Sequence, residues 1–273
     1  MVATGGLALA EDTTVLEPNH PILTAIEVAL AKLPAAFDGF TIAQLSDFHY
    51  DENSLTPIRA AIEIVNSLHP DVAVLTGDFV TVPALDHGIQ KKRAASAAEP
   101  CAKLLANLQP RLGMAAVLGN HDVESDAPRI AAALQSNGIP VLRNRSIPVE
   151  QAGSRIWLSG LDSMLEGHPD LDLAMQGVPA KELVVLLVHE PDFADDAARY
   201  PVDLQLSGHS HGGQIWLPVV GAPWLPRFAR KYPRGLHRIG SLTLYTNMGL
   251  GTIRLPVRLN CPPEVTLFTL RCA

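Results

Sequence analysis

The chain has 273 residues, of which 47% are hydrophobic and 18% charged, and its formal net charge at pH 7 is −7. These values are typical of a globular protein with a substantial buried core, and they exclude a largely disordered chain. Because nucleic-acid phosphates attract an excess of Lys and Arg, the negative charge argues against a nucleic-acid partner. No apolar run in the sequence is long enough to span a membrane.

The N-terminal part has little patterning. Residues 1–10 are apolar and rich in Gly and Ala but lack the basic start of an export signal, so two locations stay open. The protein is either cytoplasmic or, if a signal or anchor was removed, a bacterial-type cell-envelope protein on the periplasmic side. We expect residues 1–37 to form a leader with an edge strand at residues 24–30, and residues 38–273 to form one domain.

Apolar runs and amphipathic segments then alternate along the chain. The pattern predicts a strand at residues 40–45, a helix at 55–68, a strand at 72–75, a helix at 94–108, a strand at 114–118 and a helix at 126–136. It continues with paired strands at 141–150 and 155–159, a strand at 183–188, a helix at 193–199 and strands at 202–206, 241–246 and 264–270. This alternation predicts an α/β fold, in which ligands bind beyond the carboxyl ends of the strands.

Polar residues that can bind metal ions follow five of the predicted strands. These blocks are Asp47-Phe48-His49, Gly77-Asp78, Gly119-Asn120-His121-Asp122, His189 and Gly208-His209-Ser210-His211. Carboxylate, carboxamide and imidazole groups together suit Mn, Fe or Zn rather than Ca or a thiolate-bound metal. Two neighbouring cations need a shared carboxylate, and Asp78 is the candidate because it ends a central strand. Gly77 and Gly119 are explained by backbone geometry rather than by chemistry.

The order of these blocks closely resembles the calcineurin-like metallophosphoesterase superfamily. Its pattern of DxH, GD, GNH[DE], H and GHxH is complete here, and the resemblance runs from about residue 40 to the C-terminus. The segments Ser46-Asp47-Phe48-His49, Gly208–Gln214 and Asn247–Gly251 are most similar to the YkuE-like phosphodiesterase branch.

The resemblance implies a fold and a metal site. The implied fold is the calcineurin-like four-layer α/β sandwich, with two mostly mixed β-sheets flanked by helices and a binuclear metal site at the strand C-termini. The implied cofactors are two divalent or trivalent ions of Mn, Fe or Zn. The implied ligands are Asp47, His49 and His211 for one ion and Asn120, His189 and His209 for the other, with Asp78 bridging both.

The resemblance also implies an activity, a binuclear metal-dependent phosphodiester hydrolase acting on a small-molecule or lipid-linked phosphoester. A metal-bridging hydroxide would attack phosphorus while His121 assists the leaving group, and Asp122 would orient and charge-stabilise the His121 ring. The alternatives are a lipid-linked or nucleotide-sugar pyrophosphate hydrolase of the lipid A-pathway type, a phosphomonoesterase, and a non-catalytic metal-binding scaffold. We expect a monomer.

Residues 215–235 combine Trp216 and Trp224 with Arg227, Arg230 and Lys231 directly after the last metal block. Two interpretations are equally favoured. The segment is an ordinary packed β-hairpin loop, or it is a substrate-facing rim that takes an apolar or anionic group or makes a peripheral membrane contact.

The remaining polar and thiol residues suggest structural roles. The other histidines are His20, His69, His87, His168 and His237, and we expect them at surface or loop positions. The less favoured alternative is that His87 or His168 lines the substrate cleft. Asp162 is predicted to be a turn residue rather than a support for the site. The cysteines have no CxxC spacing, so we expect small buried thiols at Cys101, Cys261 and Cys272, although the last two could pair.

Overall fold

Two β-sheets packed face to face form the centre of the computed structural model, which describes residues 11–82 and 93–273. The strands in chain order are β1 Ile22–Leu30, β2 Thr41–Leu45, β3 Val72–Leu75, β4 Met114–Ala116, β5 Arg145–Gln151, β6 Ser154–Gly160, β7 Val184–Leu187, β8 Leu204–Ser207, β9 Gly235–Ile239, β10 Leu242–Thr246 and β11 Glu264–Cys272.

Both sheets mix parallel and antiparallel pairing. Over the described residues, the first sheet has the order β1-β11-β2-β3-β4 and the second has the order β5-β6-β7-β8-β10-β9. Strands β2, β3 and β4 run parallel, as do β6, β7, β8 and β10. The carboxyl ends of each parallel set therefore meet along one edge of its sheet. As predicted, β1 lies at an edge, paired along its whole length with β11.

Helices cover the outer face of each sheet. The helices are α1 Leu55–Leu68, α2 Ala98–Leu105, α3 Asn120–Ser136, α4 Leu171–Ala174 and α5 Ala194–Ala197, and single helical turns occur at Asp12–Leu16, Glu17–Asn19, Ala35–Phe37, Ala95–Ala97, Pro191–Phe193 and His211–Gly213. Helix α1 buries Ile58, Ala61, Ile62 and Val65, the spacing of one helical face. Among the described residues, no helix is long and apolar enough to cross a membrane.

The apolar core is divided into three layers, which confirms the four-layer sandwich. One cluster joins the first sheet to α1, α2 and α3, a second lies between the sheets, and a third joins the second sheet to α4 and α5. The sequence of strand β7 is wholly apolar because both of its faces are buried. Val185 and Leu187 point into the middle cluster, whereas Val184 and Leu186 point into the outer one.

Several predicted boundaries are corrected. Helix α3 begins at Asn120, six residues before the predicted start, and is kinked at Asp126, where the backbone leaves the helical region (φ −165°, ψ 80°). The strand predicted at 141–150 begins only at Arg145, because Asn144 adopts a left-handed backbone (φ 50°). Helices α2 and α5 are shorter than predicted, and β9 and α4 were not predicted at all.

The thiols are free, as predicted, so Cys261 and Cys272 do not pair. Cys101 and Cys261 are buried, but Cys272 is exposed, which corrects the expectation of three buried thiols. Cys272 differs because it ends β11 beyond the part of that strand that the core covers.

Candidate metal centre

All seven predicted metal ligands lie at the carboxyl ends of strands. Asp47 and His49 follow β2, Asp78 follows β3, Asn120 opens α3 after β4, His189 follows β7, and His209 and His211 follow β8. Five of them have left-handed backbone, with φ between 41° and 68°, namely Asp47, His49, Asp78, His209 and His211. Side-chain-bearing residues rarely adopt this conformation, and it is concentrated at functional sites.

The donor atoms converge into groups of three. Asp47, His49 and His211 place one donor atom each within 4.8 Å of one another, and Asp78, His189 and His209 do the same. A further group joins Asp78 to His49 and His121 within the same limit. Because Asp78 belongs to two groups, its carboxylate is placed to serve two cations.

Imidazole nitrogens of the cluster lie close to carboxylate oxygens and to each other. Nε2 of His189 lies 3.1 Å from Oδ2 of Asp78, and Nε2 of His211 lies 3.3 Å from Oδ1 of Asp47. Nε2 of His49 lies 3.6 Å from Oδ2 of Asp78 and 3.0 Å from Nε2 of His211. Three buried rings from both sheets and two carboxylates from the first sheet therefore point their donor atoms at a shared volume.

The outer nitrogens of His189 and His209 are held by protein groups. Nδ1 of His189 donates to the carbonyl oxygen of Thr76 at 2.6 Å, which leaves Nε2 directed at the cluster. Nε2 of His209 donates to the carbonyl oxygen of Arg227 at 2.9 Å, so that ring is left with Nδ1 as its donor to a metal. Such outer hydrogen bonds set the tautomer and orientation of metal-binding histidines.

Buried polar atoms without hydrogen bonds show whether the residues fit metal ions. Oδ1 of Asn120 has no hydrogen-bond partner, and Nε2 of His189 makes no hydrogen bond although Oδ2 of Asp78 lies 3.1 Å away. Buried polar atoms without partners are rare and call for an explanation, and a cation beside them supplies one. The donor set of imidazole, carboxylate and carboxamide suits the transition metals named above. The residues therefore fit a two-metal centre.

The charge states also favour cations. Burial lowers the pKa values of His49 and His211 well below the ordinary value, so both rings are in the neutral form that binds metals. Burial alone would raise the pKa of Asp78, but the neighbouring His189 outweighs it and holds that pKa well below its usual range. Asp78 is therefore a carboxylate.

The predicted contact between Asp122 and the His121 ring is wrong. The carboxylate of Asp122 instead accepts hydrogen bonds from the backbone amides of Gly119 at 2.9 Å, Phe79 at 2.9 Å and Val80 at 3.2 Å. Asp122 occupies the third position of α3, from which its side chain reaches back to the residue before the helix. Burial and the neighbouring charge of Asp78 raise the pKa of Asp122 to about 8.

The His121 ring is oriented by the backbone instead. The amide of Val82 donates to Nδ1 of His121 at 3.0 Å, so the neutral ring carries its proton on Nε2. The backbone amide of His121 donates to Oδ1 of Asp78 at 2.9 Å, which ties the histidine to the shared carboxylate. The ring lies edge-on to His49, with ring centroids 5.1 Å apart.

Sequence reasoning missed Arg258, which supports the Asp47 loop from behind. Its fully buried guanidinium donates to the carbonyl oxygens of Met248 (3.1 Å), Gly249 (3.1 Å) and Gly251 (2.5 Å). The amide of Gly251 in turn donates to the carbonyl oxygen of Asp47 at 2.7 Å. The only sequence signal is a lone arginine in the tail, which is too common to mark a site.

The other predicted positions are structural. His20, His69 and His168 are exposed, His237 is half-buried against Tyr232, and His87 lies outside the described residues. Asp162 is buried in the loop after β6, where it pairs with Arg143 at 2.7 Å and accepts from the amide of His168 at 3.2 Å. These contacts fit the predicted turn role.

Fold and donor set together define a two-metal hydrolase of the α/β sandwich type, and the comparisons agree. The sequence matches the calcineurin-like phosphoesterase family over residues 40–213, and the chain belongs to that family. It is therefore an enzyme of the metallophosphoesterase class.

Relatives and one solved structure are similar over most of the chain. The uncharacterized metallophosphoesterase YkuE of Bacillus subtilis is 36% identical, over 99% of this chain and 92% of the relative. The phosphodiesterase YaeI of Escherichia coli is 32% identical, over 85% and 82%. The UDP-2,3-diacylglucosamine pyrophosphatase LpxG of Chlamydia muridarum is 28% identical, over 94% and 91%. The sulfate thiohydrolase SoxB of Thermus thermophilus shares the fold, with a TM-score of 0.54 at 13% identity, over 88% of this chain and 57% of that one.

Proposed function

We propose that the protein hydrolyses phosphodiesters with two metal ions held at the joint edge of its sheets. Asp47, His49 and His211 would hold one ion, Asn120, His189 and His209 the other, and Asp78 both. The observation that carries the proposal is that Asp78 lies within 4.8 Å of donor atoms from two different sets of histidines. When bound, such a pair of cations activates a water molecule and offsets the charge on phosphoryl oxygens.

His121 contributes a hydrogen bond to the leaving group in this proposal. Its Nδ1 accepts from the amide of Val82, so the N–H at Nε2 is free to donate a hydrogen bond to the leaving oxygen of the substrate and to stabilise the charge that develops there. The bond from the backbone of His121 to Asp78 keeps this ring beside the metal ligands. Asp122 acts indirectly, because it clamps the loop after β3 onto the start of α3 and so positions Asp78 and His121.

Competition between protons and metal ions favours ions that bind imidazole well. Burial alone would lower the pKa of His189, but the carboxylates of Asp78 and Asp47 outweigh it and raise that pKa well above its ordinary value. A proton on His189 and a metal ion thus compete for the same nitrogen. We propose Mn, Fe or Zn, since hard ions such as Mg and Ca prefer sites made of oxygen ligands.

Comparing the turnover of a diester with that of its monoester separates a phosphodiesterase from a phosphomonoesterase. Protein reconstituted with Mn or Zn should hydrolyse bis-p-nitrophenyl phosphate faster than p-nitrophenyl phosphate, and a chelator should abolish the activity. His168→Ala changes an exposed histidine outside the cluster and serves as the control for His121→Ala. A protein with two bound metal ions that cleaves neither compound would contradict the proposal. Preference for the monoester would make it a phosphomonoesterase.

A second candidate is a hydrolase of lipid-linked or nucleotide-sugar pyrophosphates. It is supported by the similarity to LpxG and by exposed apolar side chains in the segment that follows His211, including Trp224. Turnover of UDP-2,3-diacylglucosamine well above that of a simple diester would favour it over the first candidate. Release of UMP would distinguish cleavage of the pyrophosphate from cleavage elsewhere.

A further inference from the structure

Residues 215–226 form an uncharged turn on the surface beside the metal centre, here named the apolar turn. Its sequence, Ile-Trp-Leu-Pro-Val-Val-Gly-Ala-Pro-Trp-Leu-Pro, has no charged side chain over twelve consecutive residues. The tip is nonetheless in solvent, with Val219 107%, Val220 74% and Trp224 47% exposed. A water-soluble surface rarely presents so many adjoining large apolar side chains without a partner.

The backbone of the tip holds these side chains outward. Leu217 and Gly221 pair through two hydrogen bonds of 2.9 and 2.8 Å, and the amide of Val220 donates to the carbonyl oxygen of Pro218 at 2.8 Å. Val219 at the apex has a φ of +69°, which is costly for a β-branched residue and is normally left to Gly or Asn. An apolar side chain at such a position indicates a role that outweighs the cost.

Cations surround the apolar turn although the whole protein is acidic. The guanidinium of Arg254 lies 4.5 Å from the Trp224 ring, and that of Arg234 lies 3.6 Å from the Trp216 ring. Arg227 and Arg230 follow the turn directly and are exposed. Tryptophan and arginine around an apolar tip are the side chains favoured at the interface of a lipid bilayer.

The apolar turn is joined to the metal centre at both ends. It follows His211 after only three residues, and the residue directly after it is Arg227, whose carbonyl oxygen accepts from the ring of His209 at 2.9 Å. A surface that engages the tip would therefore lie near the metal centre.

We propose that the apolar turn inserts into the interface of an anionic lipid bilayer, with the surrounding arginines on lipid phosphates. The metal centre then faces phosphoesters at the headgroup level, which rests on the proposed function. The binding to the bilayer does not depend on that function. A second copy of the chain is a poorer occupant, because a pairing through this face would bring Arg227, Arg230 and Arg254 of both copies together. Anionic lipid offsets the same charges.

Sedimentation with vesicles tests the binding without any turnover. The full chain should sediment with vesicles of phosphatidylcholine and phosphatidylglycerol and much less with phosphatidylcholine alone. Val219→Asn combined with Val220→Asp should lower the bound fraction at limiting lipid by about tenfold, since polar tips lose the gain from apolar burial. Asn suits the left-handed backbone at position 219, so the fold should be kept, and an unchanged thermal unfolding midpoint checks this.

Two matched variants lie away from the apolar turn. Leu173→Asp replaces a similarly exposed apolar residue on α4, and Arg129→Glu reverses an exposed charge on α3. Both should bind vesicles as the unchanged protein does, whereas Arg254→Glu should bind less. Equal sedimentation of the tip variant and the unchanged protein would overturn the proposal, as would no preference for anionic vesicles. It would also fail if light scattering showed a dimer that the tip variant abolishes.

Diester turnover in solution decides the proposed function separately. Vesicle binding without hydrolysis would leave the membrane contact standing and remove the activity. Hydrolysis without vesicle binding would support the activity and remove the membrane contact.

Discussion

The rings of His49 and His211 face each other across the join of the two sheets, with 3.0 Å between their Nε2 atoms. The ring centroids are 4.9 Å apart and the planes are inclined by 29°. His49 follows β2 of the first sheet, whereas His211 follows β8 of the second. Two neutral imidazoles that aim the same nitrogen at one point are arranged for a shared cation, and the sheets are thereby linked through the site.

Metal counts should resolve the two proposed ligand sets. His211→Ala should lose about one metal equivalent of two, and His189→Ala should lose the other, because each ring belongs to a different donor group. Asp78→Ala should lose both ions, since its carboxylate is shared. Elemental analysis after gel filtration measures this, with His168→Ala as the control. Loss of both ions from each single-histidine variant would contradict separate sets.

The stability of the metal-free protein should peak near pH 6.5. Burial lowers the pKa values of His49, His209 and His211 below 6.5, so below that pH the unfolded chain binds more protons than the folded one. The free energy of unfolding therefore falls as the solution becomes more acidic. His189 has a raised pKa, so its contribution is lost as the pH rises above 6.5. The pKa of Asp122 is raised from 3.8 to about 8, so its contribution is lost over the whole of that range. Below pH 6.5 this one group opposes three histidines, and the fall in stability toward acid remains.

Denaturant unfolding of chelator-treated protein between pH 5 and 8.5 measures this profile. Metal-loaded protein should be more stable throughout, with a steeper loss on the acid side, because protons displace metal ions from imidazole. A metal-free stability that rises steadily toward pH 5 would contradict the lowered imidazole pKa values.

Replacement of His121 should reduce turnover without removing metal. His121→Ala is expected to lower kcat by about a hundredfold to a thousandfold, the usual loss when a donor to a developing oxyanion is removed. The loss should be smaller for substrates whose leaving group is already stable as an anion, such as a diester of p-nitrophenol, than for an alkyl diester. Metal content should stay at the level of the unchanged protein, which distinguishes a hydrogen-bond donor from a ligand.

The incorrect contact predicted between Asp122 and the His121 ring follows from the incorrect start predicted for helix α3. With the helix predicted to begin at residue 126, Asp122 is a loop residue beside His121 and a natural partner for its ring. With α3 beginning at Asn120, Asp122 stands at the third helical position, where a carboxylate reaches back to the amide of Gly119. The metal ligands were easier to predict because each follows an apolar strand, a local pattern.

Arg258 and Val82 could not be assigned because their roles depend on the conformation of irregular loops. Arg258 binds carbonyl oxygens of residues 248–251, seven to ten residues earlier in the same connection between β10 and β11. Val82 acts through its amide on His121, 39 residues away, and any residue except proline has that amide. No residue type or spacing in the sequence marks either contact beforehand.

A pair of glycine substitutions should separate backbone strain from crowding of the site. Gly249 and Gly177 both have left-handed backbone, with φ of +72° and +81°, so alanine at either position should cost about 1–2 kcal/mol of stability. An alanine Cβ at Gly249 would lie 2.6 Å from Cβ of Asp47, whereas at Gly177 it would meet nothing within 4 Å. Gly249→Ala should therefore displace Asp47 and weaken binding of the ion that it shares with His49.

Metal titration of both variants gives the comparison. Gly177→Ala should bind two ions with unchanged affinity despite its lower unfolding midpoint. Gly249→Ala should bind one ion normally and the other at least about tenfold more weakly, because a misplaced ligand loses much of its coordination energy. If both variants titrated alike, the loop of residues 247–251 would only stabilise the fold, and Asp47 would hold its position without it.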